Sequence, residues 1–416
     1  MLTRRQFVAA GAGSWLCSGI PGAFARAPRP GAPGPRYFVT FFLRGGIDPV
    51  YTVDPKVRSE VEAKVDVPYG ADQIVDTGGV PFGPHFKPLA KWANQMAIVR
   101  GVQVKTANHE TGAFQIVRMR TGVTTNMPSL FDVIGQTRDT QPLASVLMGE
   151  VSSFEHSPGA LAAPTGAPEG KTSLDAIDTL SSEDIDILAR VYQRHLQRFP
   201  SWKNSAETDR TREYVSQMAA FFERMKTVKQ FKAEEDWTKD KANKAGRAGE
   251  DMQRTLWFLE NDLARGICVK IFFDWDSHFR NADKQQSSTA NFTKLLDRFL
   301  TELQTRKNRF GTLAEQTVVV VGSELGRFPV MNGNLGKDHW PEAPYMFFGP
   351  NIRPGGYVQT GSFMEGTKTS LVTGKPDPAG ANLVLDDVGT TLMNWAGLDP
   401  ELYGYFGRHL KFLERT

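Results

Sequence analysis

Two short clusters of histidine and carboxylate residues are the parts of the sequence best suited to chemistry. In the first, Asp276 and His278 stand two residues apart, directly after the apolar run 267–273. On an extended segment, side chains two positions apart point the same way, so both could reach one metal ion. The second cluster is the adjacent pair Asp338 and His339, in a loop rich in glycine and asparagine. Imidazole and carboxylate groups are the usual ligands of divalent metals in proteins.

Both clusters also have ordinary structural explanations. An isolated Asp276-x-His278 more often caps a turn and packs than binds a metal. Its position after a predicted strand, with a second pair downstream, favours a functional site. In the same way, Asp338 could cap a turn on the surface and leave His339 without a role.

Two further carboxylates follow predicted strands. Asp48 comes after the run 37–43, and Glu324 comes after the run 317–321. Ligands of open α/β sheets bind at the carboxyl ends of the strands, so both carboxylates are candidate ligands. The alternatives are a turn aspartate before a proline for Asp48 and an ion pair with Arg327 for Glu324.

The loop 105–112 is a third candidate, because it precedes a predicted helix at 113–120. It contains His109 and Thr111, and a helix N-terminus can hold an anion. A helix cap by Asn108 or Thr111 is compatible with that role.

The apolar runs and the helical patterns between them predict an α/β fold with a doubly wound, mainly parallel sheet covered on both faces. Strands are predicted at 37–43, 96–99, 143–148, 268–273, 317–321 and 345–348. Helices are predicted at 86–94, 113–120, 128–134, 291–305 and 383–396. Between 182 and 263, dense charge and helical spacing predict an insertion of two or three long helices, and 155–180 is predicted to be a surface loop.

The N-terminus has the pattern of an export signal. Residues 1–25 carry the pair Arg4 and Arg5, then a small, apolar stretch that is too short for a membrane span. Residues 26–36 form a Pro/Gly linker. We expect export through the twin-arginine machinery to the periplasm or the medium, and no transmembrane helix in the mature chain.

Composition argues against several classes of partner. The formal net charge is +3, and removal of Arg4 and Arg5 with the signal leaves +1. A chain so nearly neutral has no field to attract nucleic acid, so no nucleic-acid partner is expected. No nucleotide-binding or serine-hydrolase fingerprint is present either.

Taken in order, the motifs resemble those of a known family. After the twin-arginine signal come Leu43-Arg-Gly-Gly-x-Asp48, Trp275-Asp-x-His278, Ser323-Glu-x-Gly-Arg327 and Gly336-x-Asp-His339. Together they are similar to the domain-of-unknown-function fifteen-oh-one family of exported bacterial proteins, which resembles the alkaline phosphatase and sulfatase superfamily. The resemblance implies one alkaline-phosphatase-like domain over residues 37–410, with the helical insertion at 182–263 and a divalent metal (zinc, calcium or magnesium).

The resemblance also implies a set of site residues. The implied metal ligands are Asp48, Asp276, His278, Glu324, Asp338 and His339. The implied catalytic residues are Thr111, His109 and Arg327. The chain departs from the pattern at Asn108, where many members carry serine, and at Glu324-Leu325, where active phosphatases carry Asp-His.

The resemblance implies an exported, metal-dependent hydrolase of phosphate or sulfate esters, acting on a small molecule or a glycan. Arg327 or Arg44 would hold the ester oxygens, and Thr111 or a metal-bound water would attack. An alternative is a non-catalytic binding or scaffold protein on a degenerate hydrolase fold. A third reading, a helical adaptor built around residues 182–263, is less favoured because such charge is usually a solvated face.

Overall fold

The structure of the protein is a computed structural model. It describes residues 35–123, 127–135, 143–149, 181–198, 225–238 and 244–415, with a few positions between 212 and 223. The predicted signal 1–25 and the predicted loop 155–180 lie outside the described residues. Among the helices of these ranges, none is long and apolar enough to cross a membrane.

Seven strands form the central sheet. They are β1 Tyr37–Leu43, β2 Met96–Gln103, β3 Leu143–Met148, β4 Ala264–Ile271, β5 Thr317–Gly322, β6 Glu342–Phe348 and β7 Gly355–Tyr357. Their order in the sheet is β7-β2-β6-β5-β1-β4-β3. Four neighbouring pairs are parallel, and only the two pairs that contain β6 are antiparallel. The predicted α/β fold with a mainly parallel sheet is therefore confirmed.

Both faces of the sheet are buried, as a parallel sheet requires. Along β1, Val39 and Phe41 belong to one hydrophobic core, whereas Phe38 and Phe42 belong to the other. This alternation follows from the two-residue period of a strand. It explains why the strand is apolar at nearly every position.

Helices cover the two faces. They are α1 His109–Arg118, α2 Leu130–Gly135, α3 Ser182–Arg198, α4 Glu235–Thr238, α5 Lys244–Glu260, α6 Asn281–Thr305 and α7 Leu385–Trp395. Short 3-10 helices lie at Arg58–Glu60, Ala71–Gln73, Lys87–Gln95, Leu313–Glu315, Pro400–Tyr403 and Lys411–Leu413. Three two-stranded pairs complete the described structure: Val75–Thr77 with Val80–Phe82, Lys307–Asn308 with Gly311–Thr312, and Gly326–Arg327 with His339–Trp340.

Two helices begin earlier than the sequence indicated. Helix α1 starts at His109 rather than 113, and α6 starts at Asn281 rather than 291. The first turns of α6 bury polar side chains, among them Asn281 and Gln285. Apolar periodicity cannot detect a helix face that is buried but polar.

Candidate metal centre

Three histidine rings and one carboxylate converge beyond the carboxyl ends of the parallel strands. One ligand atom from each of His109, Asp276 and His339 lies within 4.8 Å of the other two. His278 joins them, because its Nε2 lies 2.8 Å from Nε2 of His339 and 3.3 Å from Oδ1 of Asp276. We call these four residues the imidazole cluster.

The extended segment after β4 carries two members of the cluster, Asp276 and His278, and its side chains alternate between two sides. Phe273, Trp275 and Ser277 are buried, whereas Asp276 is half-exposed and His278 is partly exposed. Successive side chains of an extended segment point to opposite sides. Asp276 and His278 therefore lie on the same side, which is the arrangement that their spacing predicted.

The carboxylate of Asp276 is held from behind by Arg327. The guanidinium donates a 2.7 Å hydrogen bond to Oδ1 of Asp276 and others to the backbone carbonyls of Lys337 and Gly45. Its side chain has no exposed surface. Arg327, which was predicted to be catalytic, is buried here and positions Asp276.

All three rings are oriented through their Nδ1 atoms. Nδ1 of His109 lies 2.7 Å from Oε1 of Glu324, and Nδ1 of His278 lies 2.9 Å from Oδ1 of Asp338. Nδ1 of His339 lies 2.6 Å from the carbonyl oxygen of Ala107. Because these partners are acceptors, each Nδ1 carries the proton of the neutral ring, and each Nε2 keeps its lone pair.

With each ring protonated at Nδ1, the Nε2 atoms have no hydrogen-bond donor among the described residues. Nε2 of His109 is buried without a hydrogen bond, and its 3.4 Å contact with Oδ2 of Asp276 lacks hydrogen-bond geometry. The Nε2 lone pairs of His278 and His339 face each other at 2.8 Å. A divalent cation held by His109, Asp276 and His339 would give these lone pairs a partner, so the residues present fit a metal ion.

Hydrogen bonding also changes the acidity of the cluster. Burial lowers the pKa of His109, but the neighbouring carboxylates of Asp276 and Glu324 outweigh burial and raise it above the usual value. Burial would raise the pKa of Asp276, yet the neighbouring rings of His109 and His339 and the charge and hydrogen bond of Arg327 hold it far below the usual range. Asp276 therefore stays a carboxylate, as a metal ligand must.

Helix α1 brings His109 into the cluster. Oδ1 of Asn108 caps the helix by accepting a hydrogen bond of 2.9 Å from the Thr111 N–H. A Cβ atom at Gly112 would lie 2.8 Å from the carbonyl oxygen of Glu324, so only glycine allows this close approach. The capping pattern was visible in the sequence, whereas the contact between His109 and Glu324 was not.

Glu324, a predicted ligand, orients a ring and does not face the centre. It is fully buried, and its Oε1 accepts hydrogen bonds from Arg44 and from the N–H of Gly45, in addition to contacting His109. Its other oxygen accepts from Ser323. Burial would raise its pKa, but the His109 hydrogen bond and the Arg44 charge hold it below the usual value.

Three other predicted site residues also lie outside the cluster. Asp338 is an exposed carboxylate that orients His278. Asp48 is buried and pairs with Lys337, with 2.8 Å between Oδ2 and Nζ. Thr111 is exposed, and the structure assigns its hydroxyl no contact with the cluster.

A comparison with known families matches residues 36–414 to the model described as "Protein of unknown function (DUF1501)". The chain belongs to this family. The resemblance found in the motifs is thereby confirmed. The chain matches none of the curated protein sequences with which it was compared.

Several solved structures are similar to this DUF1501 protein over most of its length. A variant of the alkaline phosphatase PafA has 8% identity and a TM-score of 0.47, covering 92% of this chain and 100% of that one. The lipoteichoic acid synthase LtaP from Listeria monocytogenes has 9% identity and a TM-score of 0.43, covering 94% and 80%. A putative sulfatase from Bacteroides thetaiotaomicron has 10% identity and a TM-score of 0.40, covering 92% and 76%.

Proposed function

We propose that this protein is a metal-dependent hydrolase of phosphate or sulfate esters, with one zinc-type ion at the imidazole cluster. The observation that carries the proposal is the group of His109, Asp276 and His339, whose ligand atoms lie within 4.8 Å of one another and whose two rings are each fixed at Nδ1 by an acceptor. Two imidazoles and one carboxylate at ligand spacing, with the ring of His278 beside them, are typical of zinc and similar transition metals, whereas calcium and magnesium prefer oxygen ligands. Of the metals considered from the sequence, zinc therefore fits best.

Access to the cluster supports a role with a small ligand. The side chains of Asp276 and His278 are 50% and 34% exposed, so one side of the cluster faces solvent. A purely structural zinc site is usually closed by four protein ligands, whereas a catalytic site keeps a position accessible.

Arg44 is the residue that we assign to an anionic substrate. It donates through Nη1 to Glu324 at 2.7 Å and keeps 18% of its side chain exposed. No other hydrogen bond of this guanidinium occurs among the described residues, so further N–H groups remain for ester oxygens. The glycines at 45 and 46, both with positive φ, form the tight turn that carries Arg44 past the end of β1.

A bound zinc ion would supply Lewis acidity. Two residues of the chain would have separate roles. Arg44 would bind and orient the anion, and Glu324 would keep the proton of His109 on Nδ1. Water is the attacking group favoured here, because Thr111 lies outside the cluster.

The test combines metal analysis with an activity screen on the full chain. Inductively coupled plasma mass spectrometry should find about one zinc per chain, and aryl phosphate and aryl sulfate esters should distinguish the two substrate classes. Arg44→Ala should weaken the turnover of anionic esters while zinc stays bound, and Arg58→Ala provides a control with the same loss of charge. Metal bound without turnover would favour the non-catalytic binding role, and absence of metal would overturn the proposal.

We also propose export by the twin-arginine pathway, which rests on the sequence of residues 1–25. Replacement of Arg4 and Arg5 by lysine should leave unprocessed protein in the cytoplasm. Cell fractionation and the mass of the N-terminal fragment provide the readout. Equal export of the variant would contradict this route.

A further inference from the structure

A second ionic group lies behind the segment 275–278. Nζ of Lys337 is 2.8 Å from Oδ2 of Asp48 and 3.2 Å from Oδ2 of Asp66. The side chains of Lys337 and Asp48 have no exposed surface, and that of Asp66 is 15% exposed. We call these three residues the buried ion cluster.

The ammonium of Lys337 contacts the two carboxylates as an ion pair, without donating a hydrogen bond to either. Although Nζ lies within 3.2 Å of two carboxylates, it makes no hydrogen bond of acceptable geometry. Its remaining neighbour is the ring of Tyr51, 5.0 Å from Nζ to the centroid. An ammonium has three directed donors, and none of them is aligned with an acceptor here, so the carboxylates stabilise Lys337 through its charge.

The oxygens of the pocket are oriented independently of Lys337. Oδ2 of Asp48 accepts a 2.8 Å hydrogen bond from Asn281, and Oδ1 accepts one of 3.1 Å from the N–H of Val50. Oδ2 of Asp66 accepts one of 3.0 Å from the hydroxyl of Tyr51. Carboxylate oxygens held in this way suit hard divalent cations such as manganese, magnesium and calcium.

The pocket shares a wall with the imidazole cluster. Ser277, between two members of that cluster, points the other way and contacts Asn281 at 2.5 Å. The N–H of Lys337 donates to the carbonyl oxygen of Ser277 at 2.9 Å. The carbonyl oxygen of Lys337 accepts from Arg327 at 3.0 Å.

We propose that the ammonium of Lys337 is a built-in cation that occupies a divalent-cation pocket formed by Asp48 and Asp66. By filling this pocket, Lys337 limits the chain to the single metal ion of the imidazole cluster. The statement that the chain binds one metal ion rests on the proposed function. The assignment of Asp48 and Asp66 as a divalent-cation pocket does not.

The experiment measures bound metal in the full chain with and without the ammonium. Zinc-loaded wild-type protein should bind no Mn²⁺ after dialysis, whereas Lys337→Ala should bind one further equivalent, detected by electron paramagnetic resonance and mass spectrometry. The double variant Asp48→Asn with Lys337→Ala is the matched control and should bind none, because the pocket has lost a carboxylate.

The outcomes separate this inference from the proposed function. A wild type without zinc would overturn the proposed function alone, provided that Lys337→Ala still takes up Mn²⁺. Mn²⁺ binding by the wild type, or no uptake by a folded Lys337→Ala, would overturn this inference. If Lys337→Ala folds only with Mn²⁺ in the refolding buffer, the inference is supported. If Mn²⁺ gives no rescue while the double variant folds, the inference fails.

Discussion

The imidazole cluster and the buried ion cluster lie on opposite sides of one short segment, and they use their charges differently. In the buried ion cluster, Lys337 supplies the cation for Asp48 and Asp66 from within the chain. In the imidazole cluster, neutral rings present three lone pairs beside Asp276. Carboxylates at the ends of neighbouring strands can thus serve structure or ligand binding, depending on whether the paired side chain encloses the carboxylate, as Lys337 does at Asp48, or leaves it half-exposed beside the rings, as Arg327 does at Asp276.

The largest expected effect comes from removing a ring of the imidazole cluster. His339→Ala should abolish zinc retention, because the remaining ligands no longer surround one point. Zinc per chain after dialysis is the measurement. His409→Ala is a matched control, since His409 pairs with Glu414 outside the cluster. Full zinc content in the His339 variant would contradict the metal assignment.

The next largest effect should come from the buried ion cluster and should appear as stability. Asp48→Asn leaves the ammonium of Lys337 without its nearest charge and should cost about 3–5 kcal/mol of unfolding free energy, the usual loss when one partner of a buried ion pair is removed. Urea unfolding gives the value. Combining Asp48→Asn with Lys337→Met should recover much of the loss, because neither charge remains.

A smaller effect is expected where a carboxylate only orients a ring. Asp338→Asn removes the charged acceptor of His278 and should weaken zinc affinity about tenfold, at the lower end of the losses seen for residues that support metal ligands. Competition with a chelator measures the affinity. Asp283→Asn is the control, because Asp283 is equally exposed and pairs with Arg280. Equal affinities in the two variants would show that Asp338 does not orient the ring.

The smallest effect concerns pH. A raised pKa means that protonated His109 stabilises the metal-free fold at low pH, and that this contribution is lost as the pH rises through the folded-state pKa. Zinc requires the unprotonated ring, so the increase in melting temperature on adding zinc should shrink as the pH falls from about 8 to about 5.5. Thermal melts with and without zinc test this. An increase that does not change with pH would argue against histidine ligands.

The sequence was most informative where the spacing of residues along the chain determines the local structure. The apolar runs at Tyr37–Leu43 and Leu143–Met148 predicted both strands with the observed bounds. The two-residue spacing of Asp276 and His278 predicted a shared side. These features depend on neighbours along the chain, so sequence reading could find them.

Sequence reading was least informative where distant residues meet. Helix α6 was placed too late because its first turns bury polar residues against Asp48 and Ser277. His109 was assigned to catalysis, yet the structure places it among the candidate ligands.

By itself, the sequence determined the class of fold, the family and the residue types that could bind a metal. Only the tertiary structure decided which carboxylate faces the rings and which is buried against an ammonium. Asp48 and Asp276 both follow strands, but Lys337 reaches one and Arg327 holds the other. Pairing depends on the distance between charges in the folded chain, and separation along the sequence does not encode that distance.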